Sequence, residues 1–333
     1  MSGTNSSPSL LDDVAEAAIP ESAVAFKQLA SEKRLAILVA LWDMYEPFED
    51  DQAVPFSVLR DRVGIRDKGQ FHYHLTKLEG HFVRRTADGY ELRRAGHQFV
   101  RTVIAGAGIS DPSFDRAEID QPCHQCGGPT TVTYHDELLY WCCNECDGLF
   151  GDHGRIRGGI LGVMQVDPAG FTDRRPEEVL KSADVRMDWN VQFAVEGLCN
   201  TCSGPMGRRL NVCGDHTADG ICPSCRRRYA AIARFRCSVC KNHLEMVPWW
   251  LVIGHPAVVA FYYRHGIPVQ YEGAVDGEYP PRLGSTLPTH HTQDLVSVNP
   301  PRVRVTVSYE GDELRLTLDE DLEVVKIEPD GRR

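Results

Sequence analysis

The chain has 333 residues, of which 42% are hydrophobic and 25% charged, a composition typical of a globular protein with two to three domains. Its 47 acidic and 36 basic residues give a formal net charge of -11. A charge of this sign excludes attraction of nucleic acid by the field of the whole molecule. Any nucleic-acid partner must therefore be bound by a local basic surface.

The N-terminal residues 1–21 have neither the basic region nor the apolar region of a signal peptide, so we expect a disordered polar tail. The longest apolar run, 247–263, is interrupted by Gly254, His255 and Pro256 and is shorter than the roughly 20 residues that a bilayer requires. It predicts a strand followed by a buried helix that begins at Pro256. We expect a cytoplasmic protein without a membrane span.

Two helices are predicted at the start of the segment 22–108. The first follows Ser31, a plausible N-cap, and carries apolar residues at helical spacing, namely Leu35, Leu38, Leu41 and Trp42. The second is short and ends at Gly64. It is predicted to direct three residues toward a core, namely Val58, Leu59 and Val63.

The next stretch, KGQFHYHLTKLEG, predicts a third helix that ends near Gly80, because Phe71, Leu75 and Leu78 recur at i, i+4 and i+7. His72 and His74 stand about 160° apart on such a helix and cannot share a metal ion. After Gly80, the segments FVRR, TADG and YEL predict a hairpin with Gly89 at a positive φ.

Basic residues concentrate on this part of the chain. Between Arg60 and Arg85, three acidic residues accompany seven basic ones, namely Arg60, Arg62, Arg66, Lys68, Lys77, Arg84 and Arg85. A local charge of +4 in a chain of net charge -11 is the pattern expected of a surface that meets phosphates.

Three helices, a hairpin and the motif His74, Leu75, Leu78, Gly80 and Val83 resemble the ArsR-type winged helix-turn-helix transcriptional regulators. The resemblance covers residues 22 to 106. It implies a homodimer that places the third helix in the major groove and the wing on the backbone, with the helix HQFVRTVIAG in the dimer interface. The second helix lacks the cysteine pair of the family's metal sensors, so no effector site carries over. The whole chain is similar to winged-helix proteins with C-terminal zinc ribbons that are common in halophilic archaea.

Eight residues are candidate DNA contacts. Side-chain chemistry suits base edges for Gln70, His72, Tyr73 and Lys77, and phosphates for Arg66, Lys68, Arg84 and Arg85. Two alternatives stay open: His72 and Tyr73 only cover a solvated helix face, or the winged helix binds protein alone.

All twelve cysteines lie between residues 123 and 240, and ten of them form CxxC pairs. In a reducing compartment this pattern indicates zinc, because two thiolates on one tight turn take two corners of a tetrahedron. The first predicted site is a zinc ribbon at 121–152, with ligands Cys123, Cys126, Cys143 and Cys146. The segment between its two CxxC motifs, here called knuckles, alternates in apolar and polar residues like the two short strands of a hairpin. Cys142 is left over and is expected to be a small buried hydrophobe.

Tandem zinc ribbons are predicted at 198–245. We expect one ion on Cys199, Cys202, Cys213 and His216, and another on Cys222, Cys225, Cys237 and Cys240. The pairing of Cys199 and Cys202 with Cys222 and Cys225 remains open, because spacing does not establish proximity. Eight basic residues between 208 and 241 either offset the negative charge of zinc thiolates or form a second nucleic-acid contact.

The remaining segments complete a predicted α+β fold. A linker spans residues 106–120, and a helical segment 153–197 has Pro176 at its first helical position. The segment 246–330 contains a helix and a small antiparallel sheet, because its last strands alternate with period two around the turn EGDE at 310–313. The predicted molecule is an N-terminal winged helix-turn-helix followed by zinc ribbons, helices and that sheet.

The predicted function is that of a sequence-specific DNA-binding transcriptional regulator with two to three structural zinc ions. The alternative is a protein-binding adaptor or a factor resembling the basal transcription machinery. The expected partners are double-stranded DNA and a second copy of the chain, and for the alternative function the transcription machinery. No open metal site, phosphate-binding loop or nucleophile motif is present, so no catalytic residue is predicted.

Overall fold

The computed structural model describes residues 29–48, 52–106, 112–171, 173–217, 220–267 and 291–329. The chain divides between residues 109 and 110 into two compact units. Within the described residues, seven α-helices accompany four small antiparallel sheets, which confirms an α+β fold. The expected tail at 1–21 lies outside the described residues.

The described residues of the first unit form four helices: α1 (Glu32–Asp43), α2 (Phe56–Val63), α3 (Lys68–Leu78) and α4 (Arg94–Ile104). Residues from all four helices and from the hairpin described below form one buried cluster. The predicted stripe of α3 lies fully in that cluster, with Phe71, Leu75 and Leu78 each 0% exposed. The side chain of Asp67 caps α3 by accepting a hydrogen bond from the Gln70 amide at 2.7 Å.

Helix α2 ends as predicted at Gly64, which adopts φ 78°. The expected orientation of its apolar residues is wrong at one position, because Val58 is exposed while Leu59 is fully buried. Two adjacent residues of a helix point about 100° apart, and a helix of eight residues that packs on one side buries only one of them.

The hairpin of the first unit consists of β1 (Val83–Arg85) and β2 (Tyr90–Leu92). Val54 pairs with Tyr90 through two 3.0 Å hydrogen bonds and acts as a short third strand. Gly89 adopts a nearly extended φ of 158°, and a Cβ at this position would lie 2.3 Å from the Val54 carbonyl oxygen. The glycine therefore permits close approach of the third strand.

The second unit begins with a sheet in the order β3 (Phe114–Ile119), β4 (Thr130–His135), β5 (Leu138–Cys143) and β6 (Ile160–Gln165). The predicted β4–β5 hairpin is present. Strand β3 occupies residues that the sequence assigned to a linker, and β6 lies in the segment 153–197 that was expected to be helical. Both edge strands are held by pairing with a partner distant in sequence, which local patterns do not report.

A 3-10 turn at Pro168–Phe171 leads to α5 (Pro176–Val195), which begins at the predicted proline. The N-terminal half of α5 buries Val179, Leu180 and Ala183 in the core of the first sheet. Its C-terminal half buries Val191 and Ala194 in a second core. Helix α5 therefore joins the two hydrophobic cores of this unit.

The second core is formed by a three-stranded sheet and two helices, together with the end of α5 and the C-terminal sheet described below. The strands are β7 (Met206–Val212), β8 (Ala231–Cys237) and β9 (His243–Met246). The strand expected before Pro256 is instead a short helix, α6 (Pro248–Val252), followed by α7 (Pro256–Arg264). Pro248 occupies a first helical turn and cannot donate to a sheet ladder, which favours the helix.

The C-terminal sheet has the order β10 (His291–Val298), β11 (Pro301–Tyr309), β12 (Asp312–Leu318) and β13 (Val324–Pro329). The predicted period-two pattern is confirmed, because alternate residues of β11 and β12 are buried in the second core. Glu310 and Gly311 form the predicted turn, both with positive φ. No helix in the described part of the chain is long and apolar enough to cross a bilayer.

Gly96 on α4 provides a test of the packing of the first unit. A Cβ at Gly96 would lie 2.4 Å from the Phe82 carbonyl oxygen. We expect Gly96→Ala to destabilise the chain by about 1–3 kcal/mol, although alanine is intrinsically favoured over glycine in helices by about 1 kcal/mol. Chemical denaturation of the full chain measures the change.

The matched control is Thr102→Ala on the exposed face of the same helix, for which we expect a change of only a few tenths of a kcal/mol. An increase in the free energy of unfolding of Gly96→Ala would contradict the close approach of α4 to Phe82.

Candidate metal centres and candidate nucleic-acid interface

The first predicted group of metal ligands is assembled by the β4–β5 hairpin. Its four sulfur atoms belong to Cys123, Cys126, Cys143 and Cys146 and lie within 4.8 Å of one another. The Sγ atoms of Cys123 and Cys146 are 3.7 Å apart, and those of Cys126 and Cys143 are 3.5 Å apart. These distances are close to the edge of about 3.8 Å expected for a tetrahedron with metal–sulfur bonds of about 2.3 Å.

Backbone amides point at the sulfur atoms of this group. The amides of Glu145 and Cys146 each donate to Cys143 Sγ at 3.3 Å. Burial raises the pKa of the Cys143 thiol, but the two amides and the side chains of Cys126 and Cys123 together outweigh this effect and lower that pKa to about 7. The knuckle is thus arranged to hold a thiolate, which is the form that binds metal.

A second group contains Cys199, Cys202, Cys237 and Cys240. Sulfur–sulfur distances are 3.6 Å for Cys199 with Cys240 and 3.5 Å for Cys202 with Cys237. Burial opposes ionisation of Cys199, but amides of its own knuckle lower the pKa of this thiol to about 6. The side-chain amide of Asn242 also donates to Cys199 Sγ at 3.7 Å.

The third group contains Cys213, His216, Cys222 and Cys225. His216 Nδ1 lies 3.4 Å from Cys225 Sγ, and its Nε2 lies 3.1 Å from the Arg228 carbonyl oxygen. A carbonyl can only accept, so the proton resides on Nε2 and the Nδ1 lone pair faces the cysteines, as in a metal-binding histidine. The amides of Cys225 and Thr217 lower the pKa of the Cys222 thiol to about 5.

The pairing predicted for the second and third groups is wrong, and the open alternative of Cys199 and Cys202 with Cys222 and Cys225 is not formed either. In the β7–β8 hairpin, Met206 pairs with Cys237, so the residues before β7 meet those after β8. Val212 pairs with Ala231 at the other end, where the segment 213–225 folds on itself. The arrangement is nested, because all ligands of the third group lie in the sequence between the two CxxC motifs of the second group. The spacers 203–212 and 226–236, of ten and eleven residues, could not distinguish this arrangement from tandem hairpins.

Cys142 has the environment that the sequence predicts. It is 7% exposed and belongs to a small cluster with Tyr140 and Ile160. Burial raises the pKa of its thiol to about 11. The residue is therefore a buried thiol beside the first group and not one of its ligands.

His124 is a residue of the first knuckle that the sequence did not single out. It is 4% exposed, and its ring lies 5.3 Å from that of Trp141 and 5.9 Å from that of Trp249. Burial, and then the nearby His291, lower the pKa of His124 to about 4. A neutral ring packed between two indoles anchors this knuckle to the core, and only its position inside a CxxC motif could have suggested it.

The eight candidate DNA contacts are all exposed in the first unit: Arg66, Lys68, Gln70, His72, Tyr73, Lys77, Arg84 and Arg85. Tyr73 is 54% exposed, and the Lys77 ammonium lies 5.6 Å from the centre of its ring. Helix α3 therefore presents an uncovered polar face opposite its buried stripe.

Ion pairs neutralise part of the basic segment. Arg60 pairs with Asp61, Arg62 with Asp43, and Arg84 with Glu91. Arg66, Lys68, Lys77 and Arg85 form no ion pair with any residue that the structure describes. Their charges are those that remain available to an external anion.

In the second unit, carboxylates offset many of the arginines near the metal centres. Arg227 and Arg234 both contact Glu245, and Arg208 and Arg226 pair with Glu323 and Asp152. Burial raises the pKa of Glu245, but the two guanidinium groups outweigh it and hold that pKa below its usual range. Each of these four arginines therefore forms an ion pair within the second unit.

Two family models match the chain. The family described as Domain of unknown function (DUF7347) matches residues 22–103, which include the three helices and the hairpin. The family described as Domain of unknown function (DUF7351) matches residues 120–324, which include all three cysteine groups. No curated protein matches. Because the second match spans more than half of the 333 residues, the chain belongs to the DUF7351 family.

Proposed function

We propose that this protein is a DNA-binding transcriptional regulator of the ArsR-like winged-helix type, whose second unit is stabilised by three structural zinc ions. The observation that carries the proposal is the exposed face of α3, on which polar and basic residues stand uncompensated in an otherwise acidic chain. The protein works in the cytoplasm, where its cysteines remain reduced.

The order of elements in the first unit supports docking on duplex DNA. Helix α3 follows α2 after a short turn, and the hairpin comes next with Val54 as its third strand. This is the order of a winged helix-turn-helix, in which the third helix enters the major groove. Gln70 and Lys77 then face base edges, and Arg85 reaches the phosphate backbone.

The proposed dimer follows from the resemblance to ArsR-type regulators, which implies an interface through α4. Ile104, near the C-terminal end of α4, is 53% exposed in the single chain. An exposed isoleucine on this helix supports its burial against a second copy. Two copies would present two α3 helices to the half-sites of a palindromic target.

Zinc is the metal that best fits the three groups. Two groups offer four thiolates, and the third offers three thiolates and one imidazole nitrogen. Four-coordinate sites made of sulfur and nitrogen select zinc among the common divalent ions, and such sites are structural because no position is left for water or substrate.

An alternative is a protein-binding adaptor, and one observation favours it. In the second unit, Trp189 and Phe193 are 55% and 43% exposed at i and i+4 on α5. Paired aromatic residues on one helix face are typical of protein interfaces. Substitution of both by serine would abolish the function of an adaptor and leave DNA affinity unchanged.

The double variant K77A/R85A tests the DNA interface. We expect weaker binding to a fragment of the protein's own promoter, and a slope of log K against log salt that is smaller by about 2, since each phosphate contact contributes about 1. The variant Gln70→Ala should lose about 1–3 kcal/mol of binding free energy, and only on the preferred DNA sequence. Fluorescence anisotropy at several salt concentrations measures both effects.

The matched control is R302A/K326A, which removes two exposed charges from the C-terminal sheet. It should bind like the wild type. Equal weakening in the control, or unchanged binding by K77A/R85A, would refute the assignment of the α3 face and hairpin to DNA.

The double variant C202S/C240S tests the nested pairing. Both residues belong to one group, so metal analysis of the purified protein should find two zinc ions per chain instead of three. In the tandem pairing the same two substitutions would damage two sites and leave one ion.

The companion variant C202S/C225S removes one ligand from each of two groups. We expect it to retain one zinc ion. Retention of two ions by this variant would show that Cys202 and Cys225 serve the same ion and would refute the nested arrangement.

A further inference from the structure

We propose that a pocket in the first unit binds a small organic anion with at least two negative charges, carried by phosphate or carboxylate groups. The pocket has a volume of about 620 Å³ and lies between the end of α1, the hairpin and α4. Its lining consists of Tyr45, Arg84, Leu92, Arg93, Arg94, His97, Gln98 and Arg101.

Helix α4 supplies one wall of the pocket. Arg94, His97, Gln98 and Arg101 occur at i, i+3, i+4 and i+7 and therefore share one face of the helix. Gly96 and Val100 are buried on another face of the same helix. The spacing of these four residues is visible in the sequence, but by itself it indicates only a polar helix face. The pocket exists because the hairpin lines its other side.

The charge of the pocket is compensated at only one of its arginines. Four of its eight lining residues are arginines, and no acidic residue that the structure describes is among them. Arg84 donates to Glu91 at 2.6 Å, whereas Arg93, Arg94 and Arg101 form no ion pair within the described ranges. Several guanidinium groups around one concave space favour an anion, and their forked geometry suits phosphate and carboxylate oxygens.

Aromatic contacts hold two of these side chains in place. The Arg101 guanidinium lies 5.4 Å from the centre of the Trp42 ring. The rings of His97 and Tyr45 are 4.6 Å apart in an edge-to-face arrangement, and His97 Nδ1 is buried without a described hydrogen-bond partner. A pocket whose groups are already oriented loses little entropy when it binds.

The hairpin separates this pocket from the face assigned to DNA. Successive residues of a strand project to opposite faces, so Arg84 and Arg85 diverge. Arg85 lies 5.9 Å from the Tyr90 ring, and Phe56 lies within 6.3 Å of both Tyr90 and His72, which places this face beside α3. The pocket takes Arg84 on the other face, and its volume is that of a small-molecule site.

Calorimetry with two pairs of probes tests the proposal without reference to DNA. AMP and glutarate each carry two negative charges, while adenosine and glutaramide are their uncharged counterparts. We expect at least one dianion to bind the full chain with one site and a Kd below about 1 mM, and its uncharged counterpart not to bind. The pair that binds identifies phosphate or carboxylate as the ligand class.

The variant R94A/R101A should weaken binding of that dianion at least tenfold, and K68A/K77A, which removes two charges from α3, should leave it unchanged. If R94A/R101A melts at a lower temperature than the wild type, R93Q/R94Q carries the same expectation, because it keeps the contact between Arg101 and Trp42. The proposal is overturned if neither dianion binds, if the arginine variants bind as well as the wild type, or if only a duplex oligonucleotide engages these arginines.

Discussion

The register of the β7–β8 hairpin determines how the second unit is organised. Met206 is opposite Cys237 and Val212 is opposite Ala231, so one hairpin brings the outer two knuckles together at one end and isolates the inner ligands at the other. Each group then closes with four ligands within 4.8 Å. The same strands bury Leu210, Ala233 and Phe235, so metal binding and core formation depend on one alignment. A shift of the strand register by one residue would disrupt both the ligand groups and the core.

The uneven distribution of charge gives this acidic chain a local basic surface. A net charge of -11 repels polyanions, but acids and bases are not evenly distributed. Around the metal centres, Glu245 forms ion pairs with two arginines, Arg227 and Arg234. In the first unit, Lys68, Lys77 and Arg85 meet no carboxylate among the described residues. At physiological salt a field reaches about 8 Å, so a local surface acts independently of the total charge.

Local sequence patterns predicted the elements that depend only on residues close together in the chain. The buried stripe of α3, the start of α5 at Pro176 and the alternation of β11 and β12 all follow from periodicity or from a single residue type. Patterns could not predict β3 and β6, because an edge strand exists only through its partner. The ligand pairing was missed for a related reason: spacing limits which cysteines can meet, whereas strand register selects among them. The sequence identified the twelve candidate ligands, but it did not show how they divide into three groups.

Two adjacent residues, Arg84 and Arg85, illustrate how such a register also divides functions. The sequence treats them alike, as two bases suited to phosphate. Pairing with Glu91 and Tyr90 places one beside a carboxylate and the other beside an aromatic ring, on opposite faces of the hairpin. Arg84 is thereby joined to the arginines of α4, and Arg85 to the polar face of α3. The two anion-binding surfaces that we propose therefore share one short strand, and each of these two arginines contributes to only one of them.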